Sequence, residues 1–146
     1  MSWLLLIALL AGALLPVQTG INTELRARLG HPVLAATASM SVSVASLLAC
    51  AAWLRLARPA WSSLVHVPWW CWLGGALGAL YLGVSLTLAP RLGAASLISA
   101  LVAGQMFASI VVDHFGLVGY RVRPADWRQL IGAALVTVGV VMMQRR

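Results

Sequence analysis

Long stretches without a charged residue alternate along the chain with short polar breaks. The charge-free runs cover residues 1–23, 29–54, 59–90, 92–112 and 129–144. A helix crossing a bilayer needs about 20 apolar residues, with a range of roughly 17 to 25. With Pro and Gly as punctuation, the pattern predicts helices near 3–28, 32–56, 68–89, 94–117 and 126–144. The breaks are Gly30-His31-Pro32, residues 57–67, Pro90-Arg91-Leu92-Gly93 and residues 118–125. Pro16 falls inside the first helix, where its missing backbone donor frees a carbonyl and predicts a kink. The pattern therefore predicts an all-α integral membrane protein, a single transmembrane domain over residues 1–146 with five transmembrane helices per chain.

Composition supports lipid as the solvent. Hydrophobic residues make up 62% of the 146 residues and charged residues only 9%, with a mean hydropathy of +0.94. A soluble domain carries about 25% charged residues to wet its surface, and this chain has too few to do so. That excludes a soluble enzyme, a disordered tail and a collagen-like fibre. The first 23 residues carry no charge, so the basic start of a signal peptide is missing and the N-terminal run is expected to be retained as the first span. Cys50 and Cys71 have neither C-x-x-C nor metal-ligand spacing and read as small apolar filler.

All ten basic residues are Arg and the net charge is +7. They stand in ones and twos between apolar runs, where they hold helix ends at the headgroups, and do not form a nucleic-acid footprint. With five spans the termini lie on opposite sides. Arg55, Arg58, Arg121, Arg123 and Arg128 then share the N-terminal side, and Arg26, Arg28, Arg91, Arg145 and Arg146 the other, five against five. Lys/Arg asymmetry is what orients a membrane protein, and here there is none. Balance of this kind is what a dual-topology protein needs, one that inserts both ways and pairs antiparallel with itself. The seven tryptophans (Trp3, Trp53, Trp61, Trp69, Trp70, Trp72 and Trp127) all fall on the N-terminal side. An antiparallel pair would carry such a belt on both faces, although Trp69, Trp70 and Trp72 also serve simply to anchor one helix end.

Polar residues within the spans are the candidate chemistry, because polar groups in hydrocarbon are costly and face a cavity or another helix. In the first helix Gln18 and Asn22 are four apart and share a face just beyond Pro16. In the fourth, Gln105, Ser109 and Asp113 follow at successive i+4 spacing, with Gln105 at the midpoint. Glu24 and Asp113 lie roughly 13 Å and 11 Å from their helix midpoints, near the edges of a hydrocarbon core about 30 Å thick. Neither is the central carboxylate of a small multidrug antiporter.

Plainer readings stand beside these. Glu24 and Arg28, four apart, form an interfacial pair worth a few tenths of a kcal/mol. The hydroxyls of Thr37, Ser39, Ser41, Ser43 and Ser46 bond back to their own helix, and Gln105 and Asn22 also suit interhelical glue worth about 0.6 kcal/mol per bond. Gly74 and Gly78 form G-x-x-x-G, a close-packing surface and a possible dimer seam, as are Gly132, Ala133 and Gly139 of the last helix. Asp113-His114 at a helix end reads as a cap before it reads as a proton relay. There is no catalytic constellation, metal-ligand cluster or phosphate-binding loop, so no enzyme and no cofactor are expected.

The stretches PVQTGINTELRARLGHPVLAATASMS (16–41), VPWWCWLGGALGALYLGVSLTLAPRLGAAS (67–96) and AGQMFASIVVDHFG (103–116) resemble the YdcZ-type family of the drug/metabolite transporter superfamily. The tail RQLIGAALVTVGVVMM (128–143) is similar to the last helix of that superfamily's repeat, and G-Q-x-x-x-S-x-x-x-D-H-F-G is the most specific part. The chain departs from the pattern in the second helix, where Ser43 or Val44 stands in place of an expected glycine. The resemblance implies a multi-pass protein of the bacterial inner membrane, one half of an inverted-repeat, ten-helix transporter. It implies work as an antiparallel homodimer, as a heterodimer with a related small membrane protein, or as a fused ten-helix chain. It marks Pro16, Gln18 and Asn22, and Gly104, Gln105, Ser109, Asp113 and His114.

Together these readings predict a dual-topology secondary transporter that exports a small metabolite or toxic organic solute by alternating access. Gln18, Asn22, Gln105 and Ser109 would line the cavity, Asp113 and His114 would gate it or carry a coupling proton, and Pro16, Gly74, Gly78 and Gly104 would serve bending and packing. The other readings are a passive channel lined by the same stripes and a non-transporting assembly subunit.

Overall fold

The computed structural model of the chain describes residues 2–144; Arg145 and Arg146 of the arginine tally lie outside the described residues. All regular structure among these residues is helical: α1 Ser2–Leu29, α2 Pro32–Trp53, α3 Trp61–Val65, α4 Leu73–Leu92, α5 Ala94–Phe115 and α6 Trp127–Gln144. Short 3₁₀ turns precede α4 (Trp69–Trp72) and follow α5 (Leu117–Gly119). Four helical segments are long and apolar enough to cross a membrane: Trp3–Leu29, Pro32–Trp53, Trp69–Leu92 and Ala94–Phe115. A shorter apolar helix, Trp127–Met143, follows them. Their large side chains point outward, Leu9 at 71% and Leu47 at 70% exposure, which is tenable only against hydrocarbon.

The helix ends have local causes. Gly30, at φ 77°, turns the chain out of α1 and its N–H reaches the Arg26 carbonyl at 2.9 Å. His31 then caps α2, its Nδ1 accepting the Val33 N–H at 3.2 Å, with Pro32 as the first helical residue, where no donor is missed. α2 stops at Trp53 and not near 56, because Arg55 takes up a left-handed conformation, φ 52°. The Arg55 and Leu56 N–H groups turn back to the Ala52 and Ala51 carbonyls, both at 3.0 Å, and so satisfy the helix end in a Schellman arrangement. Residues 57–67 are not all loop, since Trp61–Val65 forms a short helix. α4 continues through Pro90 to Leu92, three residues beyond the predicted end. Near its terminus a helix loses one hydrogen bond to a proline, and the chain turns only at Gly93, φ 74°. α6 opens on Asp126, whose carbonyl accepts the Leu130 N–H at 3.2 Å. Its own N–H donates to Gln129 Oε1 at 3.2 Å, half of a capping box.

The residues form two compact units, one of 1–16 with 91–146 and one of 17–90. Their boundaries fall at Pro16 and Pro90, the two prolines inside helices. α1 is one unbroken helix through Pro16. In the 17–90 unit, Ala35 and Ala36 of α2 pack on Leu86 of α4, with Leu25 of α1 and Leu82 against them. Small residues at 35 and 36 let the helices approach closely. Gly78 of the G-x-x-x-G pair sits near Met40, a Cβ there lying 3.8 Å from its methyl, whereas Gly74 faces open space. In the other unit α5 and α6 pack along each other, with Leu97, Ala103 and Ala133 buried. The packing role expected of the last helix thus falls to Ala133, while Gly132 and Gly139 have no neighbour where a Cβ would be.

Candidate functional site

The polar residues read from the sequence fall in both units, Gln18 and Asn22 in one and Gln105, Ser109, Asp113 and His114 in the other. Within α1, Gln18 is exposed and Asn22 is buried, at 4% exposure. Asn22 is three residues before Leu25, which packs on the Ala35–Leu86 core, so this turn of α1 is the one that is covered. The Asn22 Nδ2 has no hydrogen-bond partner among the described residues. An unmet buried donor costs about 1–3 kcal/mol, so an acceptor reaching this amide would stabilise the fold. Glu24 is accounted for locally: Arg28 Nε donates to its Oε1 at 2.8 Å in an exposed i,i+4 pair.

The α2 hydroxyls are mostly spent on the helix itself. Thr37, Ser41, Ser43 and Ser46 each donate to the carbonyl four residues back, at 2.9 to 3.1 Å. Ser85, the other buried polar residue, does the same to Tyr81 at 2.7 Å. These groups need no solute to satisfy them.

On α5 the stripe separates into two parts. Gln105 is exposed at the centre of the helix and makes no hydrogen bond among the described residues. Ser109 is exposed, its hydroxyl donating to the Met106 carbonyl at 2.8 Å. Gly104, beside Gln105, is open, with nothing near where a Cβ would be. Toward the end of the helix the polar groups hold the loop to α6. The Asp113 carbonyl accepts the Arg123 N–H at 2.7 Å, and His114 Nδ1 accepts the Ala125 N–H at 3.0 Å. His114 thus ties the end of α5 to the residue before Asp126.

Sequence reasoning passed over the importance of Gly116 in this loop. It ends α5 in the left-handed conformation, φ 61° and ψ 37°. A Cβ there would stand 2.6 Å from Val122 Cγ2 and 3.2 Å from both the Tyr120 carbonyl oxygen and the Val122 nitrogen. The D-H-F-G motif carried the signal, since a glycine just past an apolar helix is a C-cap. The same loop holds Val118 at φ 47°, a strained state for a β-branched residue.

Two apolar cavities flank these elements. One of about 600 Å³ in the 1–16/91–146 unit is lined by Pro16, Ile98, Ser99, Val102 and Val136 among others. One of about 510 Å³ in the 17–90 unit is lined by residues including Thr37, Met40, Ser41 and Gly83. None of Gln18, Asn22, Gln105 or Ser109 lines either. Among the described residues no cluster of His, Cys, Asp or Glu fit to hold a metal is present.

Residues 3–142 are similar to the family described as "Putative inner membrane exporter, YdcZ". The "Inner membrane protein YdcZ" of Escherichia coli (strain K12) is 32% identical over 95 residues, 64% of this chain and 63% of that protein. The similarity thus spans somewhat under two thirds of that relative's length. No solved structure matches the chain. With these similarities and several membrane-length apolar helices, the protein is a multi-pass protein of the inner membrane.

Proposed function

The chain belongs to the YdcZ family of inner-membrane exporters, and on that premise we propose that it is a dual-topology secondary transporter. Two copies pair antiparallel, each supplying five spans with α6 as the fifth. The pair exports a small metabolite or toxic organic solute by alternating access. Inverted-topology halves with a midplane site are a recurrent transporter architecture. Gln18, Asn22, Gln105 and Ser109 line the cavity between the halves, and Asp113 and His114 stand at its mouth as a gate or a coupling-proton carrier. Pro16 and the open Gly74 and Gly104 give the helices freedom to bend and to pack on a second copy. A heterodimer with a related chain would use the same surfaces.

The observation that carries this reading is Gln105. An amide at the centre of a membrane helix, exposed and without a partner among the described residues, needs another helix or a polar solute in place of lipid. Gln105→Leu keeps the size and removes both hydrogen-bonding ends. It should abolish export of a toxic solute from expressing cells while leaving membrane expression and dimer content unchanged. Unchanged export in that variant removes Gln105 from the site, and loss of the dimer alone identifies it as assembly glue. Trans-stimulated counterflow in proteoliposomes separates the transporter from a passive channel, which cannot show it.

A further inference from the structure

The chain between α2 and α4 is unlike a connection built for water. Residues 54–68 run from one membrane-length apolar segment, Pro32–Trp53, to the next, Trp69–Leu92. Eight of these fifteen residues are hydrophobic, and none is Gly, Asn or Asp, the types that dominate turns in water. Five of the seven tryptophans stand in or beside the segment, at 53, 61, 69, 70 and 72. Trp53, Trp61 and Trp69 are 87%, 80% and 75% exposed, the highest values of any large apolar side chain among the described residues. In α3, Trp61, Leu64 and Val65 share one face, and Ser62 and Ser63 share the other. The backbone meanwhile closes on itself. The Ser63 N–H donates to the Ala60 carbonyl at 2.9 Å, the Val67 N–H to Leu64 at 3.2 Å and the Cys71 N–H to Pro68 at 3.0 Å. His66 Nδ1 lies 2.6 Å from the Ser62 carbonyl oxygen. Polar groups bonded in this way cost little to move where water is scarce.

Two observations say what covers this surface. The first is continuity. The exposed apolar row of α2 at Leu47 and Leu48, which faces hydrocarbon, passes into Trp53 and Leu54 and on to Trp61. The second is charge. Arg55 and Arg58 are the only charged residues in the segment, and no acid stands between Glu24 and Asp113. Elements with an apolar face, tryptophan and cationic residues lie in the plane of a membrane at the headgroup boundary. Arginines held within a Debye length of an anionic surface are attracted to it whatever their rotamer, so the attraction needs no docked geometry.

We propose that residues 53–72 lie along the bilayer surface, seated where headgroups meet acyl chains, and that Arg55 and Arg58 gather anionic phospholipid there. The assignment rests on the membrane location of the chain and not on its transport activity. Two measurements on the full-length protein in lipid vesicles test it. In protein freed of cysteine by C50S/C71S, nitroxide labels are placed singly through W61C, S63C and V65C. The labels at 61 and 65 should collide more with oxygen, which concentrates among acyl chains, than with a water-soluble nickel chelate, and the label at 63 should do the reverse. Dominant nickel collisions at 61 and 65 mean that the segment stands in water. Shielding from both reagents means that a second copy or another protein covers it, and either result overturns the proposal. The second measurement uses the native tryptophans of the unsubstituted protein. Brominated phosphatidylglycerol should quench them with an apparent affinity about fivefold above that of brominated phosphatidylcholine, the ratio that one arginine at an anionic surface supplies. R55Q/R58Q should bring the two lipids level. Equal quenching by the two lipids in the wild-type protein, or a preference unchanged in R55Q/R58Q, overturns the role given to the arginines.

Discussion

Gly116→Ala isolates the cost of the turn that joins α5 to α6. At φ 61° and ψ 37° an alanine bears a left-handed penalty of about 1–2 kcal/mol. Its methyl also meets Val122 Cγ2 at 2.6 Å, so Val122 must leave its rotamer at a cost of order 1 kcal/mol. The contacts with the Tyr120 carbonyl oxygen and the Val122 nitrogen, each 3.2 Å, involve backbone that cannot rotate aside. Relieving them draws the loop away from Asp113 and weakens the Arg123 N–H bond at 2.7 Å, worth about 1 kcal/mol. The expected loss is about 2–4 kcal/mol of loop stability. Tryptic cleavage after Arg121 reads it locally, since it reports the population of the opened loop. The cleavage rate should rise by about 30-fold or more in detergent-purified protein. Gly119→Ala is the control. Its φ of 88° carries strain but nothing lies where its Cβ would be, so cleavage should rise only several-fold. If Gly116→Ala is cleaved no faster than Gly119→Ala, the close approach of Val122 and Tyr120 is not what the turn depends on.

Leu86→Ala, at a fully buried position against Ala35 and Ala36, should cost about 2–4 kcal/mol in reversible unfolding; a loss under 1 kcal/mol would mean the α2–α4 contact is not a core. Glu24→Gln breaks only an exposed i,i+4 pair, so it should change stability by a few tenths of a kcal/mol and leave the proposed export intact. An export defect at wild-type expression would instead put Glu24 in the site. C-terminal reporters, one active only in the cytoplasm and one only in the periplasm, should both give signal if the balanced arginines permit insertion both ways. Signal from one side alone rejects dual topology and directs attention to an oppositely oriented partner.

Helices, their approximate limits and the lipid environment were legible because hydrocarbon imposes a local rule, namely that a run of about 20 apolar residues must satisfy its own backbone by coiling. The caps at His31 and Gly116 emerged only from backbone geometry, His31 accepting the Val33 N–H and Gly116 taking up the left-handed conformation. The departures arose where backbone conformation overrode composition. Arg55 closes α2 early in a left-handed state that favours glycine, and Pro90 fails to stop α4 because a proline near the terminus removes little.

The site was legible in part. Spacing alone places Gln105, Ser109 and Asp113 on one stripe, and it pairs Glu24 with Arg28. Identical spacing put Gln18 and Asn22 on one face, yet the fold buries Asn22 and leaves Gln18 exposed. Periodicity fixes direction around a helix axis, whereas cover depends on how far along the axis neighbouring helices reach. Likewise Gly74 and Gly78 are equivalent in the motif, but only Gly78 meets a neighbour, Met40. The sequence by itself determined that the chain lives in a membrane as helices and which polar residues are candidates for chemistry. The tertiary structure decided which hydroxyls and carboxylates are already satisfied, and which amides and arginines remain free to bind, because hydrogen-bond saturation depends on distances between groups that no linear spacing supplies.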